Sequence, residues 1–529
     1  MSGSVDLSIL EIKPEELRPS VEGLLSKGGR LIYASGADMG VRGIKVDYYF
    51  GFDHLEKGRH NILRTYLDRE NPVLKSITPI TKQADWSERE IIEFLGIKVE
   101  EHPDPRHLWL PLDWEDMYAS GKPEADAATE RIKTEHPPYV KDNITALQIS
   151  TIPYGPYHPA FIQSNYLKMS VEDEWVKKVD LKLGFNHRSI IKLMERRDYY
   201  KDVFLAERVC GLCNAHHSQT FSMAVESIGN FEVPKRARLI RTLVSELERI
   251  QSHLLALGLM GDLMGYRTML MHGMRIREDV QDAFEVITGQ RVTHGINIIG
   301  GVRRDITPDQ ADFVLSRAKS LRKSVPELYD QAVSNDVLAG RFEKVGKLKY
   351  DAAVSLGAVG PIARASGWKV DIRKNSPYAA YEDVDWDIIT ENGGDCMARL
   401  KVRFREAMMS LHIIEQCCDK LKSGNGPIIV KVHELPCAEA IGKSEPPRGE
   451  LMYHITSNGT NTPDAVRIRT PSFRNSHIML QMLQGVWVGD VPAIIGSMDP
   501  CFSCSDRVTM LKGDVEGVTD LRALGAMKR

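Results

Sequence analysis

The sequence predicts an α+β protein: a small N-terminal α/β domain over residues 1–125, a linker at 126–147, and a large, mainly helical domain with minor β-structure at 148–507. Three observations predict it. Short β-prone runs broken by glycine turns fill the early chain. A polar, proline-containing stretch interrupts it near 119–147. Beyond that, apolar residues recur at helical spacing through long segments.

In order, Leu31–Ala34 and Ile44–Phe52 are β-prone and separated by glycine-rich turns. Ser87-Glu-Arg-Glu90 reads as a capping box opening a helix through Ile91, Ile92 and Phe94, which Gly96 ends. Pro103, Pro105 and Pro111 mark an irregular passage. Ser-Gly-Lys-Pro from 120 and His136-Pro-Pro-Tyr139 mark the interdomain connection. The clearest helix opens near Pro234, a residue suited to a first turn. Leu239, Ile240, Leu243, Val244, Leu247, Ile250 and Leu254 share one face of it. Thr242, Glu246, Arg249 and His253 form a polar stripe beside that face. The stripe reads either as a solvated flank of ion pairs or as a buried track for protons or a ligand. Further helices are expected at 276–288, 308–336 and 396–421, the last stopped by Ser423-Gly-Asn-Gly-Pro427. There are no internal repeats.

Bulk properties narrow the function. The 529 residues carry 69 basic and 72 acidic side chains, a net charge of −3. No basic excess marks a nucleic-acid footprint. No run of 18 apolar residues offers a membrane span. The start of the chain lacks a basic region followed by an apolar stretch, so no secretory signal is expected. Eight cysteines in so long a chain do not suggest a disulfide scaffold. A cytoplasmic location is expected, with any membrane attachment made through partner subunits.

Two Cys-x-x-Cys pairs stand far apart: Cys210-Gly-Leu-Cys213 and Cys501-Phe-Ser-Cys504. Thiolates are soft ligands, and two such pairs supply four sulfurs to one centre. Spacing alone most often means structural zinc, with a [4Fe–4S] cluster as a second reading. Zinc clips, however, usually close compact loops, and here most of the second domain lies between the pairs. Cys396, Cys417, Cys418 and Cys437 read as small buried hydrophobes.

The flanks carry a resemblance. Glu207-Arg-Val-Cys-Gly-Leu-Cys-Asn-Ala-His-His217 and Asp499-Pro-Cys-Phe-Ser-Cys-Ser-Asp-Arg507 resemble the metal-binding motifs of [NiFe]-hydrogenase large subunits. Gly155-Pro-Tyr-His-Pro159, Asn186-His-Arg188, Thr288-Gly-Gln-Arg291, Val359-Gly-Pro361, Arg364-Ala-Ser-Gly367, Pro446-Pro-Arg-Gly449 and Arg469-Thr-Pro-Ser-Phe473 are similar to motifs of the same superfamily. It holds the energy-converting, membrane-associated hydrogenases and the 49-kDa-type subunit of complex I. Trp86-Ser-Glu-Arg-Glu90, His102-Pro-Asp-Pro-Arg106 and Leu110-Pro-Leu-Asp-Trp114 resemble the 30-kDa-type complex I subunit. The fusion looks like the large subunit of formate hydrogenlyase-type hydrogenases. Complex I subunits have lost the nickel cysteines; this chain keeps all four, which favours hydrogenase.

The resemblance implies a Ni–Fe(CN)2(CO) centre. Cys210 and Cys501 would be terminal nickel ligands, Cys213 and Cys504 bridges to iron, and Cys501 the base that exchanges protons. Arg448 would stand beside the iron and His217 would hydrogen-bond a bridging sulfur. Asp499 would fix its loop or pair with an arginine, and His216 is expected to be a packing or surface residue. One departure concerns protons: the family pattern His-Arg-Gly-x-Glu reads His187-Arg188-Ser189-Ile190-Ile191 here, so Ile191 replaces the relay glutamate. Glu195, Glu246 and His253 are the alternative relays. Cleavage after Arg507 would remove 508–529 on maturation. Implied partners are an iron–sulfur small subunit that holds the [4Fe–4S] clusters, antiporter-like membrane subunits at the inner face of the membrane, and formate dehydrogenase or another low-potential donor. The competing readings are a complex I-type quinone-reductase subunit, and an assembly scaffold whose thiolates bind zinc.

Overall fold

The computed structural model describes residues 5–109, 150–156, 158 and 163–506. The connection at 126–147, Arg507 and the segment 508–529 lie outside the described residues.

The N-terminal unit is a four-stranded sheet of β1 (Asp6–Glu11), β2 (Arg30–Asp38), β3 (Ile44–Gly51) and β4 (Arg59–Leu67) in the order β1-β4-β3-β2. β2, β3 and β4 pair antiparallel, and β1 adds parallel to β4. One face of the sheet joins the Leu17–Ser26 and Asp85–Leu95 helices in a core that includes Val21, Val46, Phe50 and Leu63. The capping box expected at Ser87 is not the helix start. A 3-10 turn, Lys82–Ala84, runs directly into the helix at Asp85, so no extended cap residue is needed. Ser87 and Glu90 therefore lie inside the helix. Gly96 does end it, in the left-handed region at φ 60°.

The second unit begins with a three-stranded antiparallel sheet (Ser150–Tyr154, Tyr166–Glu172, Trp175–Lys182) and then turns helical. Its centre is the Lys235–Leu263 helix, packed by Arg267–Thr288, Pro308–Val333 and Cys396–Ser423. The expected apolar face of the central helix is buried throughout. The flanking helices match expectation except that the first starts at Arg267 and the second ends at Val333, before a short Asp336–Phe342 helix. Among the described residues no helix is long and apolar enough to cross a membrane. Cys396, Cys417 and Cys418 are buried as expected; Cys437 is exposed, because it opens a strand at the rim of its sheet.

That last sheet, Cys437–Ser444, Leu451–Asn458 and Pro463–Arg469, joins the two units. Met452 and Phe473 share an apolar cluster with Ile32, Tyr33, Tyr49 and Trp86. Tyr49 Oη lies 2.9 Å from His454 Nδ1, and Arg64 bridges Asp47 and Glu439. Arg474 donates to the Ile32 carbonyl at 2.6 Å. Deeper still, Arg30 and Asp53 of the N-terminal unit meet Glu450 and Lys443. Lys443 and Glu450, themselves 2.7 Å apart, stand on either side of the Pro446-Pro-Arg-Gly449 turn. The N-terminal unit thus grips the base of the loop that presents Arg448.

Candidate metal centre

The two distant cysteine pairs meet. Cys210 Sγ lies 2.9 Å from Cys213 Sγ and 3.5 Å from Cys501 Sγ. The sulfurs of Cys210, Cys213 and Cys504 all fall within 4.8 Å of one another. All four residues are buried and none is in a disulfide.

Local structure explains the convergence. Cys210-Gly-Leu-Cys213 is the loop between the Tyr199–Glu207 and Asn214–Gly229 helices, and Cys501 to Cys504 straddles a single helical turn. Arg188 fastens both: its guanidinium donates to the carbonyls of Arg208 at 2.6 Å, Val209 at 3.0 Å and Ser503 at 3.1 Å. Asp506 accepts from the backbone N–H groups of Gly184 and Asn186. Ser472 Oγ accepts from Cys501 N at 3.0 Å, and Thr470 Oγ1 donates to the Cys504 carbonyl at 2.9 Å. The Asn186-His-Arg188 and Arg469-Thr-Pro-Ser-Phe473 motifs therefore act as fasteners for the cysteine loops.

Glu248 supplies a fastener that the sequence did not single out. It accepts from the N–H groups of Ala215 at 2.8 Å and His216 at 3.0 Å, capping from another helix the N-terminus that follows Cys213. It also bonds His216 Nδ1. His216 is thus fully buried, not a surface residue. A glutamate four residues before Ser252 on a long helix carries no local signal for such a role.

Arg448 is buried and fixed on three sides. Nη2 meets Asp499 Oδ1 at 2.7 Å, Nε donates to the Asp499 carbonyl at 2.8 Å, and Nη1 donates to Ser252 Oγ at 3.1 Å. Asp499 both shapes its loop, at φ 50°, and pairs with the arginine. Burial opposes the guanidinium charge, but Asp499 and the neighbouring sulfurs outweigh it and hold the pKa above the ordinary value. Two glycines permit this position: a Cβ on Gly360 would come 2.3 Å from the Arg448 carbonyl oxygen, and one on Gly449 2.5 Å from Gly360 N. His217 Nε2 lies 3.7 Å from Cys504 Sγ, while Nδ1 meets the Tyr453 hydroxyl at 2.7 Å.

The donor set fits a soft, multiply charged centre. Four buried sulfurs this close cannot all ionise by themselves. Hydrogen bonding with Cys210 and Cys504 pulls Cys213 down to about 6; the hydrogen bond with Cys210 and burial push Cys501 up to about 11; Cys504 rises well above the ordinary thiol range. A bound metal removes that conflict. A second group, Asp47, Glu439 and His454, already has Arg64 bonded to both of its carboxylates.

The relay candidates are placed differently from one another. Glu195 is engaged by Arg467 at 2.8 Å and Lys192 at 3.7 Å, and it bonds none of the cysteines. Its helix presents it to the last sheet. Ile191 is buried among apolar side chains. The stripe of Thr242, Glu246, Arg249 and His253 is fully buried, so the solvated-flank reading fails. Partners from distant segments satisfy it: Arg373 pairs with Glu246 and Tyr381 donates to it, and Glu406 bonds His253, which burial lowers to about 4.

A fold that joins four thiols beneath a buried arginine, with a sheet-containing unit clamped to the arginine loop, defines an oxidoreductase subunit of the hydrogenase and complex I type. Comparison with known proteins agrees. Residues 10–123 match the family of the respiratory-chain NADH dehydrogenase 30 Kd subunit, 263–437 and 427–507 that of the 49 Kd subunit, and 188–257 the nickel-dependent hydrogenases. The chain is 36% identical to the carbon monoxide-induced hydrogenase of Rhodospirillum rubrum, over 68% of this chain and 99% of that protein. It is 34% identical to formate hydrogenlyase subunit 5 of Escherichia coli K12, over 85% and 79%. It is 34% identical to the fused C/D polypeptide of the NADH-quinone oxidoreductase of Phocaeicola vulgatus, over 89% and 94%. Among solved structures, a chain of an archaeal membrane-bound sulfane sulfur reductase superposes with a TM-score of 0.65 at 32% identity, covering 68% of this chain and 98% of that one. The chain belongs to the family of energy-converting [NiFe]-hydrogenase large subunits and complex I 49-kDa-type subunits, in the form that carries a fused 30-kDa-type domain.

Proposed function

We propose that this chain is the catalytic large subunit of an energy-converting [NiFe]-hydrogenase, interconverting protons and electrons with H2. The observation that carries the reading is the meeting of Cys210, Cys213, Cys501 and Cys504 beside Arg448. In this reading the four sulfurs hold a Ni–Fe(CN)2(CO) centre, which when bound supplies the redox chemistry of H2. Cys210, Cys213, Cys501 and Cys504 would be the residues that hold it. Cys501 takes up and releases the proton at Sγ. Arg448, fixed by Asp499 and Ser252, holds a permanent positive charge toward the anionic ligands. The Tyr453 hydroxyl, 2.7 Å from His217 Nδ1, would donate there and so direct Nε2–H at the Cys504 sulfur.

Electrons would arrive through an iron–sulfur small subunit, from formate or another low-potential donor, and membrane partners would couple turnover to ion movement. Residues 1–125 and 148–507 are read as the two domains, and 508–529 as the part removed after Arg507 when the centre is complete. A second reading, a nickel-free quinone-reductase subunit, is favoured by the fused NADH-quinone oxidoreductase relative that this chain matches over most of its length. Gly155-Pro-Tyr-His-Pro159, which would face a quinone there, lies partly outside the described residues.

Infrared spectroscopy of the isolated complex tests the proposal. Cyanide and carbonyl bands with stoichiometric nickel are expected, and Cys501→Ser is expected to abolish H2 turnover. Absence of the bands and of nickel would leave the quinone-reductase reading, and unchanged turnover in Cys501→Ser would overturn the site assignment.

A further inference from the structure

The buried polar stripe ends in a cluster the metal site does not use. Glu246 meets Arg373 at 3.1 Å and Arg249 at 3.2 Å. Glu406 meets Arg364 at 2.6 Å and His253 at 2.9 Å. Asp371 meets Arg373 at 2.7 Å. Glu445 accepts from Arg364 and from Ile372 N. Within this cluster Glu246, Asp371, Glu406 and Glu445 are bonded by Arg249, Arg364 and Arg373 as permanent cations, all of them buried, while Arg30 and Arg403 act without an ion pair to them. An unbalanced charge in such a place is expensive.

The geometry locates the excess. Arg364 Nη1 lies 2.8 Å from Glu445 Oε1 and 3.1 Å from Asp371 Oδ2, so two carboxylates crowd one nitrogen. Asp371 has Arg373 as well, and its side chain caps the Ile372–Asn375 turn by accepting from Arg373 N. Glu445 has no second guanidinium on its carboxylate among the described residues. We propose that the Asp371–Glu445 pair beside Arg364 binds one exchangeable proton, carried on the Glu445 carboxyl, and that this pair is the internal proton reservoir of the site, in place of the carboxylate missing at 191.

The surroundings agree. Burial first, then Asp371, pushes Glu445 up to about 7 against Arg364 and Arg249, while Asp371 is held below its usual range. Also facing the pair are Arg373, Glu246 and Glu406, the Tyr378 hydroxyl that accepts from Glu445 N, and Arg30 of the N-terminal unit. Arg403, a turn before Glu406, bonds the Arg399 carbonyl and makes no ion pair among the described residues. Arg249 Nη2 donates to the Glu445 carbonyl, and only Pro446 and Pro447 separate Glu445 from Arg448. Each proton consumed leaves the pair with one more negative charge, and a proton from solvent restores it; the electrons come from the donor. The reservoir role rests on the hydrogenase reading, whereas the proton on Glu445 does not.

Infrared difference spectra of the purified complex, taken through neutral pH in H2O and D2O, test it. A protonated-carboxyl band that shifts in D2O and fades as pH rises is expected in the wild type. It should vanish in Glu445→Gln and persist, shifted, in Glu445→Asp. Asp202, a separate buried carboxyl pushed up to about 9, supplies a reference band that every variant keeps and that reports folding. A wild type without the titrating band, or the same band in Glu445→Gln, overturns the proton on Glu445. In enzyme with unchanged cyanide and carbonyl bands, Glu445→Gln should slow H/D exchange with H2 at least tenfold; unchanged exchange overturns the reservoir. Loss of the hydrogenase reading would show as missing cyanide and carbonyl bands, with the carboxyl band untouched.

Discussion

Glu450→Gln strikes the point where the N-terminal unit grips the Arg448 loop. Glu450 is surrounded by Arg30 at 2.6 Å, Lys443 at 2.7 Å and Arg469 at 3.4 Å, all at most 5% exposed. Glutamine keeps the shape and one acceptor but removes the charge, leaving those three cations with Asp53 alone. Removing one partner of a buried ion pair costs about 3–5 kcal/mol. Part of that loss falls on the packed state of the loop between the Cys437–Ser444 and Leu451–Asn458 strands. At tenfold per 1.4 kcal/mol, amide exchange there should speed up roughly a hundred- to a thousandfold. Peptide-resolved hydrogen exchange measures it, with the Pro308–Val333 helix as an internal reference. A folded variant whose 444–452 peptide exchanges within threefold of wild type would refute the view that this charge cluster holds the arginine loop.

Acid should loosen the same interface in two stages. Lys443 donates to His60 Nε2 at 2.8 Å, and burial first, then Lys443, lowers that histidine to about 4. Its contribution is complete above about 6.5 and fades as pH falls toward 4. Burial would raise Asp53, but Lys443 and Arg30 hold it at about 2; its contribution, about 2 kcal/mol, disappears between pH 3.8 and 2. A melting curve against pH that is flat from 7 to 2 would contradict this, and His60→Asn should remove the upper stage. Gly360→Ala should displace the Arg448 carbonyl and lower thermal stability by at least about 1–3 kcal/mol, read by calorimetry; an unchanged melting temperature would show that the backbones can part. Arg188→Ala removes three bonds between the two cysteine loops and should weaken binding of zinc, used as a probe of the thiol site, by at least tenfold in a competition titration. Wild-type affinity would mean that the loops are positioned without it.

The sequence by itself determined what is local or repeated. Cysteine spacing, the apolar face of the central helix and the stops at Gly96 and Gly424 each follow from side-chain chemistry or backbone freedom within a few residues, and all are present in the structure. The start of the Asp85–Leu95 helix escaped because a 3-10 turn took the place of the expected cap. Only tertiary structure decided that Glu246, Arg249 and His253 are interior. Period alone cannot tell a solvated polar stripe from a buried one, since the difference lies in whether Arg373 and Glu406, more than a hundred residues away, arrive to compensate it. Likewise Glu195 fell to Arg467 and Glu248 to the helix end after Cys213, because charge is satisfied by proximity in space, and sequence separation carries no information about that.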